Sequence, residues 1–355
     1  MSVRNRVRNR FGTVAAIALM TTAGTVLVSA CGPNDSGNGP EPTAGAPIAT
    51  APGTAAPGTP APGKSGGTGG TGGKETNGTT AANHLTISTG AQTVVMNGTT
   101  VDFGTVVRDL AWSPDGKKAA FVNGNGDLVT ANPDGSGKVT VAKNPGGETW
   151  SHPSWQHAEP SASISDSPEF KERFNTIVFS ASKANVLRLE KVSAKGGAAP
   201  AVLTPRNSED GVPGGTPQPP ETGNTWSNAG GTHGEVAYAN TPAGEVYIYD
   251  DYIRPATRDL GKGSQPALSP DGEQIVFVRA VNGHDHLFTK SAQGQSKAEK
   301  DLTPSATADY TEPAWSPDSK TIAARTPDGV STLPADGSAA PAPVSTFKGL
   351  PAYRP

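Results

Sequence analysis

The chain has 355 residues, a formal charge of -3 and 17% charged side chains. No Lys/Arg block lies beyond residue 10, which removes the electrostatic footprint expected of a nucleic-acid-binding protein. Glycine and proline are densest between residues 32 and 78, so the foldable part is shorter than the length suggests.

Residues 1–30 read as an export signal. Arg4, Arg6, Arg8 and Arg10 form a basic n-region, residues 11–28 are mostly apolar and small, and VSAC follows. The apolar run is shorter than a good membrane span and is diluted by Thr and Gly, which favours a cleaved signal over a retained anchor helix. VSAC resembles the bacterial lipobox, in which the cysteine is lipidated and becomes the new N-terminus. Cys31 is the only cysteine of the chain, so no internal disulfide explains it. Lipid on Cys31 would hold the protein to the outer face of the bacterial cell membrane. With no adjacent Arg-Arg pair, the general secretory route is expected.

Residues 31–83 carry almost no large apolar side chain and read as a disordered Pro/Gly/Thr/Ala-rich tether, because they cannot bury enough surface to offset the entropy of ordering. A coil of this length reaches on the order of 40 Å. Within it, GTPAPGKS (58–65) spells a phosphate-binding P-loop, but Pro/Ala/Thr on one side and GGTGGTGG on the other leave neither the strand nor the helix that such a loop needs.

From residue 84 the texture changes to short β-branched and aromatic runs separated by Gly, Pro, Asp and Asn. The residues before the SPDG-type turns, Trp112, Trp155, Trp226, Leu268, Trp315 and Tyr353, are spaced by 43, 71, 42, 47 and 38 residues. Four of these spacings are near that of a four-stranded propeller blade. The clearest unit runs from 266 to 304: an anchor strand, the SPDG turn, the strands QIVFVRA and HDHLFTKSA, and the short KDLTP. Proline fixes φ in that turn and glycine tolerates a positive φ. The spacing of 71 contains one set of strands, its surplus lying in two polar insertions at 157–173 and 205–223. LPAYRP at the C-terminal end supplies only an inner strand. Its partners are expected in residues 84–110 (HLTIST, QTVVMNG, GTVVRDL), which closes an all-β, six-bladed ring without open faces.

These motifs, SPDG followed by a [VIAT]-[AV]-[FA] strand and an NPDGSG or PADGS turn, resemble the TolB-type WD40-like β-propeller repeat over residues 84–355. The resemblance implies an extracytoplasmic propeller that binds other proteins without chemistry of its own. TolB carries an additional N-terminal domain where this chain has its tether, so a role in the Tol system does not carry over.

Three residues before each anchor stand Asp109, His152, Gly223, Gln265, Glu312 and Leu350. Asp109, His152, Gln265 and Glu312 are thereby expected to form a partly acidic ring at the mouth of the central channel, the candidate binding site. Among the histidines, His284 and His286 are the most metal-like pair, but they lack a third ligand and are expected to be structural. The recurring Ser113, Ser269 and Ser316 belong to turns, and no G-x-S-x-G elbow is present. Trp112, Trp155, Trp226 and Trp315 share a repeat register that predicts blade-to-blade packing.

The sequence therefore predicts a monomeric, lipid-anchored propeller that binds a protein partner in the cell envelope, with no cofactor, nucleic acid or catalytic constellation. The alternative is an enzyme or sugar-binding propeller that uses the channel mouth. Cys31→Ala should move the protein from the membrane fraction to the soluble fraction on fractionation of intact cells, and continued membrane association would refute lipidation at Cys31.

Overall fold

The computed structural model describes residues 75–158, 175–208, 217–251, 255–294, 296 and 298–355. The export signal, Cys31, the P-loop look-alike, most of the tether and the middle of both insertions lie outside them.

Twenty-four strands form six four-stranded antiparallel sheets, and no helix occurs among the described residues. β1 (Leu85–Ser88), β2 (Thr93–Met96) and β3 (Thr99–Asp102) belong to blade 1. Blade 2 holds β4 (Arg108–Trp112), β5 (Ala119–Val122), β6 (Leu128–Ala131) and β7 (Val139–Ala142). Blade 3 holds β8 (Glu148–Gln156), β9 (Thr176–Lys183), β10 (Val186–Ser193) and β11 (Ala201–Leu203). Blade 4 holds β12 (Asn224–Gly230), β13 (Glu235–Asn240), β14 (Glu245–Asp250) and β15 (Ala256–Lys262). Blade 5 holds β16 (Ser264–Leu268), β17 (Gln274–Val281), β18 (His284–Ser291) and β19 (Glu299–Asp301). Blade 6 holds β20 (Thr311–Trp315), β21 (Thr321–Thr326), β22 (Gly329–Pro334) and β23 (Ala342–Ser345).

β24 (Leu350–Tyr353) then returns to blade 1 as its innermost strand, pairing Leu85 with Tyr353 and Ser88 with Leu350. The expected closure is present, but its bounds differ. β3 is TTVD, and the RDL of GTVVRDL opens β4 of blade 2. Val106 and Val107 look like strand residues. Instead they lie in the connection between blades, where the Val107 N–H donates to the Ala91 carbonyl and Val107 is buried.

The core is not central. It is divided into six apolar clusters, each joining two consecutive sheets. In β5, Ala119 and Phe121 face blade 1 while Ala120 and Val122 face blade 3. Because a sheet is covered on both sides, the strand reads as a continuous apolar run, not an alternating one. Phe103 meets Phe121 edge-on at 5.8 Å across the first seam, and Trp150 packs on Phe179 at 5.0 Å within blade 3.

Hydrogen bonds latch the inner strands of neighbouring blades. Trp155 Nε1 donates to the Ala111 carbonyl at 3.2 Å, and Trp315 Nε1 to the Ala267 carbonyl at 2.8 Å. Trp112 Nε1 reaches Thr86 Oγ1, which donates in turn to the Ala352 carbonyl, so the closing seam uses the same latch with a hydroxyl relay. Three anchors lack an indole, Leu268, Tyr353 and Ala229 at the anchor position of blade 4, and at Ala229 and Leu268 a side chain of the preceding blade takes over the latch. Ser154 Oγ accepts the Ala229 N–H and Asn228 Oδ1 accepts the Leu268 N–H. Each bond is worth about 0.5–1.5 kcal/mol net, and leaving a buried partner unsatisfied costs more.

The tether also ends earlier than expected. Residues 75–83 look like coil because they have no large apolar side chain, yet Thr79 is fully buried and Asn77 bridges Ser345 on the outer edge of blade 6. Polar bonds replace apolar burial here. The Thr346 N–H donates to the Thr76 carbonyl, Asn77 Oδ1 accepts from Thr79, and Asn83 Nδ2 donates to the Gly78 carbonyl. A Cβ at Gly78 would collide with the Val344 carbonyl, so only glycine allows this approach.

Trp315→Phe keeps the ring but removes its donor and orphans the Ala267 carbonyl, so a urea titration should show a loss of about 1–2 kcal/mol. Deleting residues 350–355 removes the inner strand of blade 1 and should abolish cooperative unfolding of the whole ring, whereas a melt confined to blade 1 would contradict closure by β24.

Candidate functional site

Five inner strands share one irregularity. Each has a register shift against its neighbour, between Arg108 and Ala111, Ser151 and Ser154, Thr225 and Asn228, Ser264 and Ala267, and Thr311 and Ala314. The residue at the head of each bulge is left-handed: Asp109 (φ 55°), His152 (51°), Trp226 (56°), Gln265 (49°) and Glu312 (51°). Side chains other than glycine rarely adopt this region, at a cost of order 1–3 kcal/mol each. Pro153, Pro266 and Pro313 come next in the chain, where a bulge needs no ladder donor.

These five, with Leu350 of β24, line one end of a central cavity of about 490 Å³. All four predicted ring residues, Asp109, His152, Gln265 and Glu312, are therefore brought together. The expectation fails at blade 4, where Trp226 occupies the ring position assigned to Gly223 and Ala229 occupies the anchor position. WSN at 226–228 mimics WSP after an anchor, and only the position of the bulge separates the two readings. Trp112, Trp155 and Trp315 pack between blades as expected, whereas Trp226 turns to the channel and meets the His152 ring at 4.1 Å. Farther along the wall lie Trp112, Trp155, Leu268, Trp315 and Tyr353, and at the other end Pro114, Pro270, Pro317 and Pro355, with His157.

The ring is tied together by its own side chains. Asp109 Oδ2 accepts the His152 N–H at 3.0 Å and Gln265 Oε1 accepts the Glu312 N–H at 2.7 Å. Ser227 Oγ donates to the His152 carbonyl at 2.8 Å. Glu312 Oε2 lies 3.3 Å from Arg325 Nη1, itself half exposed. Burial raises the Glu312 carboxyl above its usual range; Arg325 opposes the rise and Asp109 adds to it. His152 is pushed the other way, below the usual imidazole value, by burial, with Asp109 opposing. His152 Nδ1 is buried without a hydrogen-bond partner. A second cavity of about 470 Å³ shares Gln265 and Glu312 with the channel and adds Arg325, Lys348 and Asp309.

His284 and His286 do not converge. They lie in β18 just after the Asn282–Gly283 turn. His286 Nδ1 pairs with Asp301 at 2.9 Å and His284 Nδ1 with Asp309 at 3.5 Å. Among the described residues no group of three or more His, Cys, Asp or Glu is placed to hold a metal ion. Ser113, Ser269 and Ser316 each donate to the aspartate two residues on, Asp115, Asp271 and Asp318, which makes them turn residues. Both insertions leave blade 3, and their described flanks attach to blade 4. Ala158 bridges His233, Gln156 Nε2 donates to the Gly234 carbonyl, and Asn207 Oδ1 accepts the Thr257 N–H.

Among solved structures, the chain is similar to TolB from Acinetobacter baumannii, at 17% identity and a TM-score of 0.50 over 76% of this chain and 66% of that one. It is also similar to a chain of a nidogen/laminin complex, at 12% identity and 0.52 over 77% and 98%. The likeness is one of fold. No protein-family model matches the chain, and no curated protein matches it.

His152 tests the electrostatics of the ring. Its folded pKa lies below the unfolded value of about 6.5. The folded state therefore binds fewer protons, and stability falls as the pH drops through that value. His152→Phe keeps an aromatic ring on Trp226 and removes the titrating group, so it should raise the urea midpoint more at pH 5 than at pH 8. An equal shift at both values would place His152 outside this titration.

Proposed function

We propose that this protein is a lipid-anchored, extracytoplasmic β-propeller that binds a protein partner at its channel mouth and serves as a scaffolding module of the cell envelope. The observation that carries the reading is the ring of five left-handed residues, Asp109, His152, Trp226, Gln265 and Glu312, around the cavity. Strain of this kind persists where the surrounding structure holds it, and it clusters at binding sites. Repeating it in five blades fixes polar and aromatic side chains around one opening instead of leaving them on mobile loops.

Three further observations support the reading. The sequence before residue 31 has the features of an export signal, and Cys31 stands in a lipobox context. The TolB-type propeller fold is one used for protein binding, and the nidogen/laminin structure is that of a protein complex. The wall combines aromatic anchors with few ionisable groups, which suits recognition through shape and a small number of polar contacts.

Crosslinking and affinity capture from intact cells test the proposal, with the native chain compared with Trp226→Ala and with Val202→Lys on the outer edge of blade 3. Trp226→Ala should reduce the captured partner about tenfold or more while Val202→Lys retains it, provided both variants keep the native circular dichroism. If Trp226→Ala captured the same partner at the native level, the mouth would not be the binding surface.

A further inference from the structure

The reading of the channel as a binding site leaves open what it binds, and the wall chemistry narrows that choice. Two carboxylates stand in the ring, Asp109 and Glu312, and no Lys or Arg is among the described residues that line the channel with them. The nearby cations Arg325 and Lys348 lie in the neighbouring cavity, and Arg325 approaches Glu312 from outside, with its side chain 49% exposed against 18% for Glu312. Arg325 therefore neutralises Glu312 from the solvent side and leaves the channel side of the ring net negative. His152 stands in the same ring, with a buried Nδ1 that has no hydrogen-bond partner. The two carboxylates give the channel side of the mouth strong hydrogen-bond acceptors. The Trp226 ring lies beside His152 at 4.1 Å and offers a π face. Deeper in, the wall is apolar, built from Trp112, Trp155, Leu268, Trp315 and Tyr353. At about 490 Å³ the cavity falls in the range of small-ligand pockets.

We infer that the channel holds an organic cation, an ammonium or guanidinium group on an apolar stem, with its charged head at Asp109, Glu312, His152 and Trp226 and its stem between the tryptophans. Such a head donates several hydrogen bonds to the two carboxylates, and its charge complements a channel lining that holds both of them and no Lys or Arg among the described residues. The same chemistry comes from two sources, a free amine or a Lys or Arg side chain presented by a protein partner. The inference rests on the binding role proposed above and specifies its ligand.

Isothermal titration of the full chain in detergent tests it with two matched pairs. 2-Phenylethylamine against 2-phenylethanol represents the free source. A Phe-Lys-Phe tripeptide, blocked at both ends, against its norleucine isostere represents the protein source. At least one cationic member should bind ten times or more tighter than its neutral match, and the pair that shows the difference identifies the source. Glu312→Gln and Asp109→Asn should each weaken the cation about fivefold or more while leaving the neutral match unchanged. Arg325→Ala should act in the opposite direction and tighten the cation, because Glu312 loses its outside partner. A gain on truncation cannot come from general loss of structure. Equal affinity within both pairs, no binding by any of the four probes, or weakening in Arg325→Ala would overturn the inference. If Trp226→Ala abolished partner capture while no probe bound, the cation would be wrong and the binding surface would stand; unchanged capture in Trp226→Ala would remove the surface itself.

Discussion

Every sheet of this protein depends on its neighbours through the latch at the inner strands. A four-stranded sheet of this size has two apolar faces and covers neither. The ring solves this by making each blade the cover of the next, so the apolar clusters lie in the seams and no blade has a core of its own. A seam formed by apolar contact alone would leave the rotation of each blade poorly defined. The indole-to-carbonyl bonds of Trp155 and Trp315, the relay through Thr86, and the Ser154 and Asn228 substitutes fix that rotation at five of the six seams. The latch residues come in matched pairs. Where the anchor is tryptophan, the preceding blade supplies a carbonyl directly or through a relay, and at Ala229 and Leu268, where the indole is missing, it supplies a polar side chain.

The same inner strands carry the candidate site, which links stability to function. The latch needs the anchor to point into the seam, while the ring residue three positions earlier points to the channel. A regular strand alternates its side chains and would put residues three apart on opposite faces without turning either toward the opening. The bulge between them adds the extra residue that re-aims the ring side chain and allows the following proline. Asp109 and Gln265 then use their side chains to hold the next blade's ring residue by its N–H. The mouth is thus a by-product of how the blades are joined.

Much of this was legible in the sequence. SPDG and its neighbours gave the blade count, and the orphan LPAYRP gave the closure, because turn chemistry is local and depends on residue type. Two features escaped for physical reasons. Trp226 fits equally well as an anchor or as a ring residue, and the distinction depends on a bulge set by pairing with β13, a long-range property. Residues 75–83 contain nothing that composition would assign to a fold, since they are held by Asn77, Asn83 and the shape of Gly78 instead of by apolar burial. The ring residues could be found by counting back from the anchors, but the left-handed backbone that sets them apart left no mark in their identities: Asp, His, Trp, Gln and Glu share no side-chain chemistry.

The docking of residues 76 and 77 on Ser345 and Thr346 has a mechanical consequence. Pull exerted on the chain upstream of residue 75 meets the outer edge of blade 6 before it reaches β1. The load is spread over the Thr76 and Asn77 contacts and passes into β23, so it does not peel β1 from β24, the one pairing that closes the circle. The outer edge works as a strain relief for the ring's clasp, and it lies where a taut leash would otherwise open the molecule like a zip.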